Sequence, residues 1–169
     1  MGAPFFELHA GQRSRGAVQV RGADLRWSAL LDARGPAATI LIRLTVGAVF
    51  LSEGVQKFLF PDALGPGRFA KIGFPAPGFV AHFVGVFEIG CGALVLVGLA
   101  TRLAALPLVA VMLTAIATTK LPILARDGFW AMAHEARTDW SMLLGSLFLA
   151  IVGGGRWSAD AWLRSKRTP

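Results

Sequence analysis

The stretch from Phe79 to Leu99 is apolar for the length of a bilayer crossing, yet it carries a carboxylate near its middle, Glu88. As a helix it spans the hydrocarbon core, and at about 1.5 Å of rise per residue Glu88 lies roughly 13 Å from its start. An ionised carboxylate at that depth costs on the order of several kcal/mol, so it must be paired, protonated or turned toward a wet cavity. The fold therefore has to satisfy buried charge as well as bury apolar faces.

Composition agrees with a membrane setting. The chain is 54% hydrophobic and only 16% charged, with a mean hydropathy of +0.58. Globular soluble domains carry more charge and fewer apolar residues. The formal net charge is +7. The basic residues flank apolar runs, which suits membrane topology and anionic headgroups rather than nucleic acid. Cys91 is the one cysteine. An intrachain disulfide, a Cys-x-x-Cys redox pair, a cysteine-rich zinc site and a c-type haem attachment are thereby excluded.

Four apolar runs predict an all-α, integral membrane four-helix bundle, with spans near 37–59, 79–99, 103–124 and 138–152. Residues 1–35 read as a polar, basic cytosolic tail in which Leu25–Leu31 can form a short interfacial helix, residues 36–157 as the bundle, and residues 158–169 as a basic cytosolic tail. The fourth run is short, and Trp140 and Trp157 flank it as interfacial anchors. With the N-terminus inside, the inner surface holds the basic tail, Arg102, Arg156, Arg164, Lys166 and Arg167, against Arg68, Lys71, Arg126 and Arg137 outside. The asymmetry predicts both termini in the cytosol. The loop before the second span is rich in turn formers, includes Gly67, and reads as irregular chain packed on the membrane surface.

Arg43, Gly47, Phe50, Gly54 and Lys57 recur at alternating spacings of four and three, which places them on one helix face. Gly85, Glu88, Gly92, Val95 and Leu99 answer with the same rhythm. Small residues at these positions predict a closely packed antiparallel pair. Because the Cβ leans toward a helix N-terminus, Lys57 and Lys120 lean inward while Glu88 leans outward, so these side chains converge with Glu53 in the outer half of the bundle. His82 and Asp139 lie nearer the outer edge. Arg43, about six residues from the inner edge, is within snorkelling reach of the cytosol.

Two readings of the cluster stand open. In one, Lys57 and Lys120 snorkel to headgroups and Glu53 pairs with Lys57. In the other, the groups line a functional polar pocket, with Glu88 and Glu53 as proton-transferring carboxylates and Lys57, Lys120, His82 and Phe50 as ligand-binding residues. Cys91 reads as a small packing residue. His134, Glu135 and Asp139 are a thin set for a metal, and no metal site is assigned.

Arg43-x3-Gly47-x2-Phe50-x3-Gly54-x2-Lys57, Gly-Phe-Pro before the second span, Glu88-x3-Gly92-Ala-Leu and Gly98-Leu-Ala-Thr101-Arg102 together resemble the DoxX family of four-helix bacterial membrane proteins, over roughly Ile40 to Gly153. The resemblance implies a multi-pass protein of the bacterial inner (plasma) membrane, associated with redox chemistry. Members of that family are linked to a thiosulfate:quinone oxidoreductase, to complexes that handle thiol or oxidative stress, and to the biosynthesis of copper-binding modified peptides. It carries over no catalytic residue.

The chain has no flavin fingerprint and no cysteine pair, so an electron carrier is either a bound quinone or resides in a membrane or redox protein partner. One expectation is thus a quinone-linked oxidoreductase subunit. The alternative is a non-enzymatic membrane partner or a small-solute, proton-coupled carrier in which the same charges fix register or gate a path.

Overall fold

The computed structural model describes residues 35–166, and all its regular elements are helices. The Leu25–Leu31 segment lies outside the described residues. Helix α1 runs over Thr39–Leu59, α2 over Pro66–Ile72, α3 over Pro77–Val97 and α4 over Thr101–Ala115. A π-helical turn, Ile116–Lys120, continues α4 into α5, Leu121–Asp127. Helices α6, Phe129–Glu135, α7, Arg137–Val152, and α8, Ala159–Ser165, complete the chain. Three stretches are long and apolar enough to cross a membrane: Thr39–Leu59, Pro77–Val97 and Thr101–Asp127. The fourth apolar run forms α7, which has 16 residues.

The helix ends follow local chemistry. Pro66 and Pro77 start α2 and α3, where a missing N–H costs nothing. Gly73 and Gly98 close those helices in the left-handed region. Pro122 has no N–H for the carbonyl of Thr118, and its ring crowds that carbonyl. The backbone widens just ahead of it, so that the Leu121 N–H reaches back to Ile116 O.

The five residues of the α1 stripe are all buried. Helices α1 and α3 pack closely along it, and α4 packs on α7. At Gly47 an added Cβ would lie 2.9 Å from Gly92 O, and at Gly54 it would lie 2.8 Å from Gly85 O. The backbones therefore touch at two levels, as the small-residue rhythm predicts. Val46, Phe50, Val95, Leu108 and Leu149 fill the core between the two pairs.

The loop before α3 is not irregular chain. It contains α2, which packs on α3, and Gly67 lies within it. A Cβ there would press on the Asp62 backbone, so Gly67 is as constrained as the stripe glycines. Gly90, by contrast, has open space around its Cβ position. Gly47→Leu and Gly92→Leu should each destabilise the bundle by about 1–3 kcal/mol or more through overpacking, whereas Gly90→Leu should be neutral or slightly stabilising. Thermal unfolding in detergent checks this, and equal midpoints for the three variants would refute the close contact.

Candidate functional site

Lys57 sits near the C-terminal end of α1 and Glu88 at the middle of α3. Their opposite Cβ tilts bring the side chains together. Lys57 Nζ lies 2.6 Å from Glu88 Oε2, with the side chains 11% and 3% exposed. Lys57 Nζ is also 3.5 Å from the backbone carbonyl of Glu53. A second ion pair joins Lys120 Nζ to Asp139 Oδ2 at 3.3 Å. Lys120 ends the π-helical turn and Asp139 lies in the first turn of α7.

The single cluster expected from the sequence is thus two pairs. Each stays within one packed couple of helices, α1 with α3 and the α4 continuation with α7. Asp139, expected at the outer edge, takes the role of counter-charge to Lys120.

Between the couples lies a cavity of about 520 Å³. Both ion pairs and Glu53 line it, as do Phe50, Phe83, Phe87, Met112 and Met142. Phe50 is fully buried. Arg68, Phe69 and Ile72 of α2 line it as well, so the segment expected on the membrane surface forms part of the wall. The three threonines that α4 and the π-helical turn give this wall satisfy their own hydroxyls. Thr114 donates to Ala110 O at 2.9 Å, Thr118 to Thr114 O at 2.8 Å and Thr119 to Ala115 O at 2.6 Å. The arrangement offers two neutralised charge pairs in mostly apolar surroundings, with Glu53 and Arg68 as further charged groups on the wall.

His82 is not part of this wall. Its Nδ1 lies 2.6 Å from Gly78 O and its ring tilts against Phe58 at 5.2 Å. At 3.6 residues per turn it lies about 120° around the helix from Glu88, which places it on another face. Among the described residues no three of His, Cys, Asp and Glu converge.

At the opposite end of α1 from Lys57, Arg43 does not snorkel. It is 2% exposed and forks into four carbonyls. Nε donates to Val95 O at 2.9 Å, Nη2 to Leu96 O at 2.6 Å, and Nη1 to Gly154 O at 3.2 Å and Trp157 O at 2.5 Å. The expected basic tail begins as α8, capped by the Ser158 hydroxyl, which accepts from Ala161 N. The sequence reading missed Asp160. It is buried, accepts from Ala100 N at 2.7 Å and from the Thr101 N–H and hydroxyl at 3.1 Å each, and so caps α4 from a distance. Ala100 has a positive φ of 47°, a strained conformation for a residue with a Cβ, and Asp160 holds it. The local signal was Ser158 two residues before an acid, the start of a capped helix.

Residues 38–121 match the DoxX family model. A membrane protein of Mycobacterium tuberculosis, Rv3486, described as uncharacterized, is 57% identical over 148 residues, which cover 84% of this chain and 91% of that protein. The chain belongs to the DoxX family. CatD of Bacillus subtilis, named provisionally as an oxidoreductase, is 32% identical over 115 residues, or 68% of this chain and 78% of that protein. No solved structure matches the chain. The DoxX match holds the whole α1–α3 couple and Lys120 but ends before α7, so Asp139, Arg43's partners Gly154 and Trp157, and Asp160 all meet the DoxX core from outside it.

Proposed function

We propose that this DoxX protein is a redox-associated component of the bacterial plasma membrane that binds a quinone in the cavity between its two helix couples. The observation that carries the reading is that cavity: mostly apolar walls between helices long and apolar enough to cross a membrane, with one buried and one partly buried ion pair lining it. Its volume of about 520 Å³ suits a substituted ring, and its donor set suits two carbonyl oxygens. Lys57 and Lys120 are the groups to hold those oxygens and stabilise negative charge on them. Glu88 and Glu53 are the carboxylates placed to pass protons, and Phe50 gives the ring an apolar floor. A bound quinone supplies two-electron acceptance coupled to the uptake of two protons. The electrons come from a partner, because the chain carries no flavin fingerprint and no cysteine pair.

The same reading takes α7 as a fourth crossing. At about 24 Å it is shorter than a hydrocarbon core of about 30 Å. Exposed Trp140 and Trp157 near its ends support a short span in a locally thinned bilayer. The Lys and Arg asymmetry supports both termini in the cytosol. Reporter fusions at Arg102 and after Lys166 should read cytosolic, and fusions between Gly65 and Pro77 external. A cytosolic signal from the latter would reverse the topology.

Purified protein tests the ligand. Decylubiquinone or a menaquinone analogue should raise the melting temperature of the wild type, and Lys120→Met should reduce that shift. No copurifying quinone and no shift with either analogue would remove the reading. A second reading, a non-catalytic membrane partner or proton-coupled carrier, draws on the pairing itself: each lysine is already neutralised, so the charges have a role in helix register without any ligand.

A further inference from the structure

Of the exposed residues on the cavity wall, four fall on the packed helices α3 and α4, Phe83 and Phe87 on the one and Ala110 and Thr114 on the other, while Glu53, Arg68 and Thr138 are polar and lie on α1, α2 and α7. A residue that faces both the cavity and the exterior marks an opening. Phe87 lies about 15 Å from the outer end of α3 and Ala110 about 14 Å from the inner end of α4, so the opening sits at mid-bilayer rather than at a water interface.

The two sides of the opening differ. On α3, Phe79, Phe83 and Phe87 form a ladder with ring centroids 5.9 and 4.8 Å apart. On α4 the exposed side chains at this level are small, and the Thr114 hydroxyl is tied to Ala110 O. At the outer end the cavity is lined by α2. The two ion pairs lie inside, with Lys57 and Glu88 buried.

We infer that the cavity is entered sideways from the hydrocarbon, between Phe83–Phe87 and Ala110–Thr114, and that its ligand is a single-chain amphiphile whose polar ring lies at the ion pairs while its alkyl tail leaves through this opening. The inference rests on the quinone reading for the ring and adds the route and the need for a tail. An aqueous solute has no path at this depth without desolvation, whereas an alkyl chain crosses an apolar opening at no such cost.

The full-length protein in phosphatidylcholine nanodiscs tests it with two quinones of one ring type, decylubiquinone and its tail-less parent. Ala110→Trp fills the opening, and Leu106→Trp, exposed on the same helix but off the cavity wall, is its control. Decylubiquinone should bind wild type and Leu106→Trp alike and lose about tenfold or more with Ala110→Trp, since each methylene held in the opening contributes to binding. The tail-less quinone should bind more weakly and respond little to Ala110→Trp. Independently of any quinone, spin-labelled stearate should show a motionally restricted fraction in wild type and Leu106→Trp that Ala110→Trp removes. If that fraction behaves so while neither quinone binds, the opening stands and the quinone reading falls. If decylubiquinone and its parent bind equally, and Ala110→Trp changes neither their binding nor the stearate signal, the lateral route is overturned.

Discussion

Replacing Arg43 with methionine should cost the protein most of its folded stability, about 3–5 kcal/mol, because four carbonyl acceptors lose their donor at once. The guanidinium joins carbonyls from two parts of the chain, Val95 and Leu96 at the end of α3 and Gly154 and Trp157 after α7. Methionine fills similar space but leaves those acceptors without their donor at a site that is nearly solvent-free, and each buried unpaired group costs about 1–3 kcal/mol. Arg43→Lys should recover only part of the loss. It keeps the charge, but an ammonium cannot fork across four acceptors as a planar guanidinium does. Asp160→Ala should fall between wild type and Arg43→Met, since it uncaps α4 while sparing the fork. The single thiol, Cys91, is half-buried, so a thiol-reactive dye reads unfolding directly. A midpoint for Arg43→Met within a degree or two of wild type would show that the fork contributes nothing.

Glu88→Gln should be nearly as damaging, and for a separable reason. It leaves the Lys57 ammonium buried beside a neutral amide, again about 3–5 kcal/mol. Adding Lys57→Met should restore most of the stability, because the second change removes the orphaned charge rather than a second favourable contact. Glu53→Gln should do little, since that side chain is exposed and only its backbone carbonyl meets Lys57. The double variant then becomes informative about function. A stable double variant that still binds quinone as wild type does would mean the pair only sets helix register. A stable double variant that has lost binding would assign the pair to the ligand. If Glu88→Gln and the double variant melt alike, the coupling between the two residues is absent.

The α1–α3 couple was legible because its information is periodic. A stripe of small and charged residues at alternating spacings of four and three names both the face and the partner, and Gly47 against Gly92 follows from it. The partner of Lys120 was not legible. Pro122 inserts a residue into the turn before it, which rotates everything beyond by about 100° relative to a regular helix, so the face that Lys120 presents cannot be counted from the start of α4. Arg43 and Asp160 were missed or misplaced for another reason. Their partners are backbone groups from distant parts of the chain, and a carbonyl leaves no trace in a sequence. Helix α2 was hidden by its own signals, since the prolines and glycines that read as loop there are its first residue and its cap.

The separation of the two ion pairs has a consequence for how the protein is made. A membrane chain is threaded in order, and a charge released into lipid ahead of its partner is exposed to hydrocarbon in the meantime. Lys57 waits for Glu88 only through the α2 segment and half of α3, and Lys120 waits for Asp139 through two short helices, α5 and α6, and the first turn of α7. Neither depends on a segment from the other couple. Each hairpin can leave the insertion machinery electrically complete, so that assembly reduces to bringing two neutral units together. Arg43 is the exception. Two of its acceptors are synthesised only after α7, so the segment that follows α7 is the one that locks α1 in place.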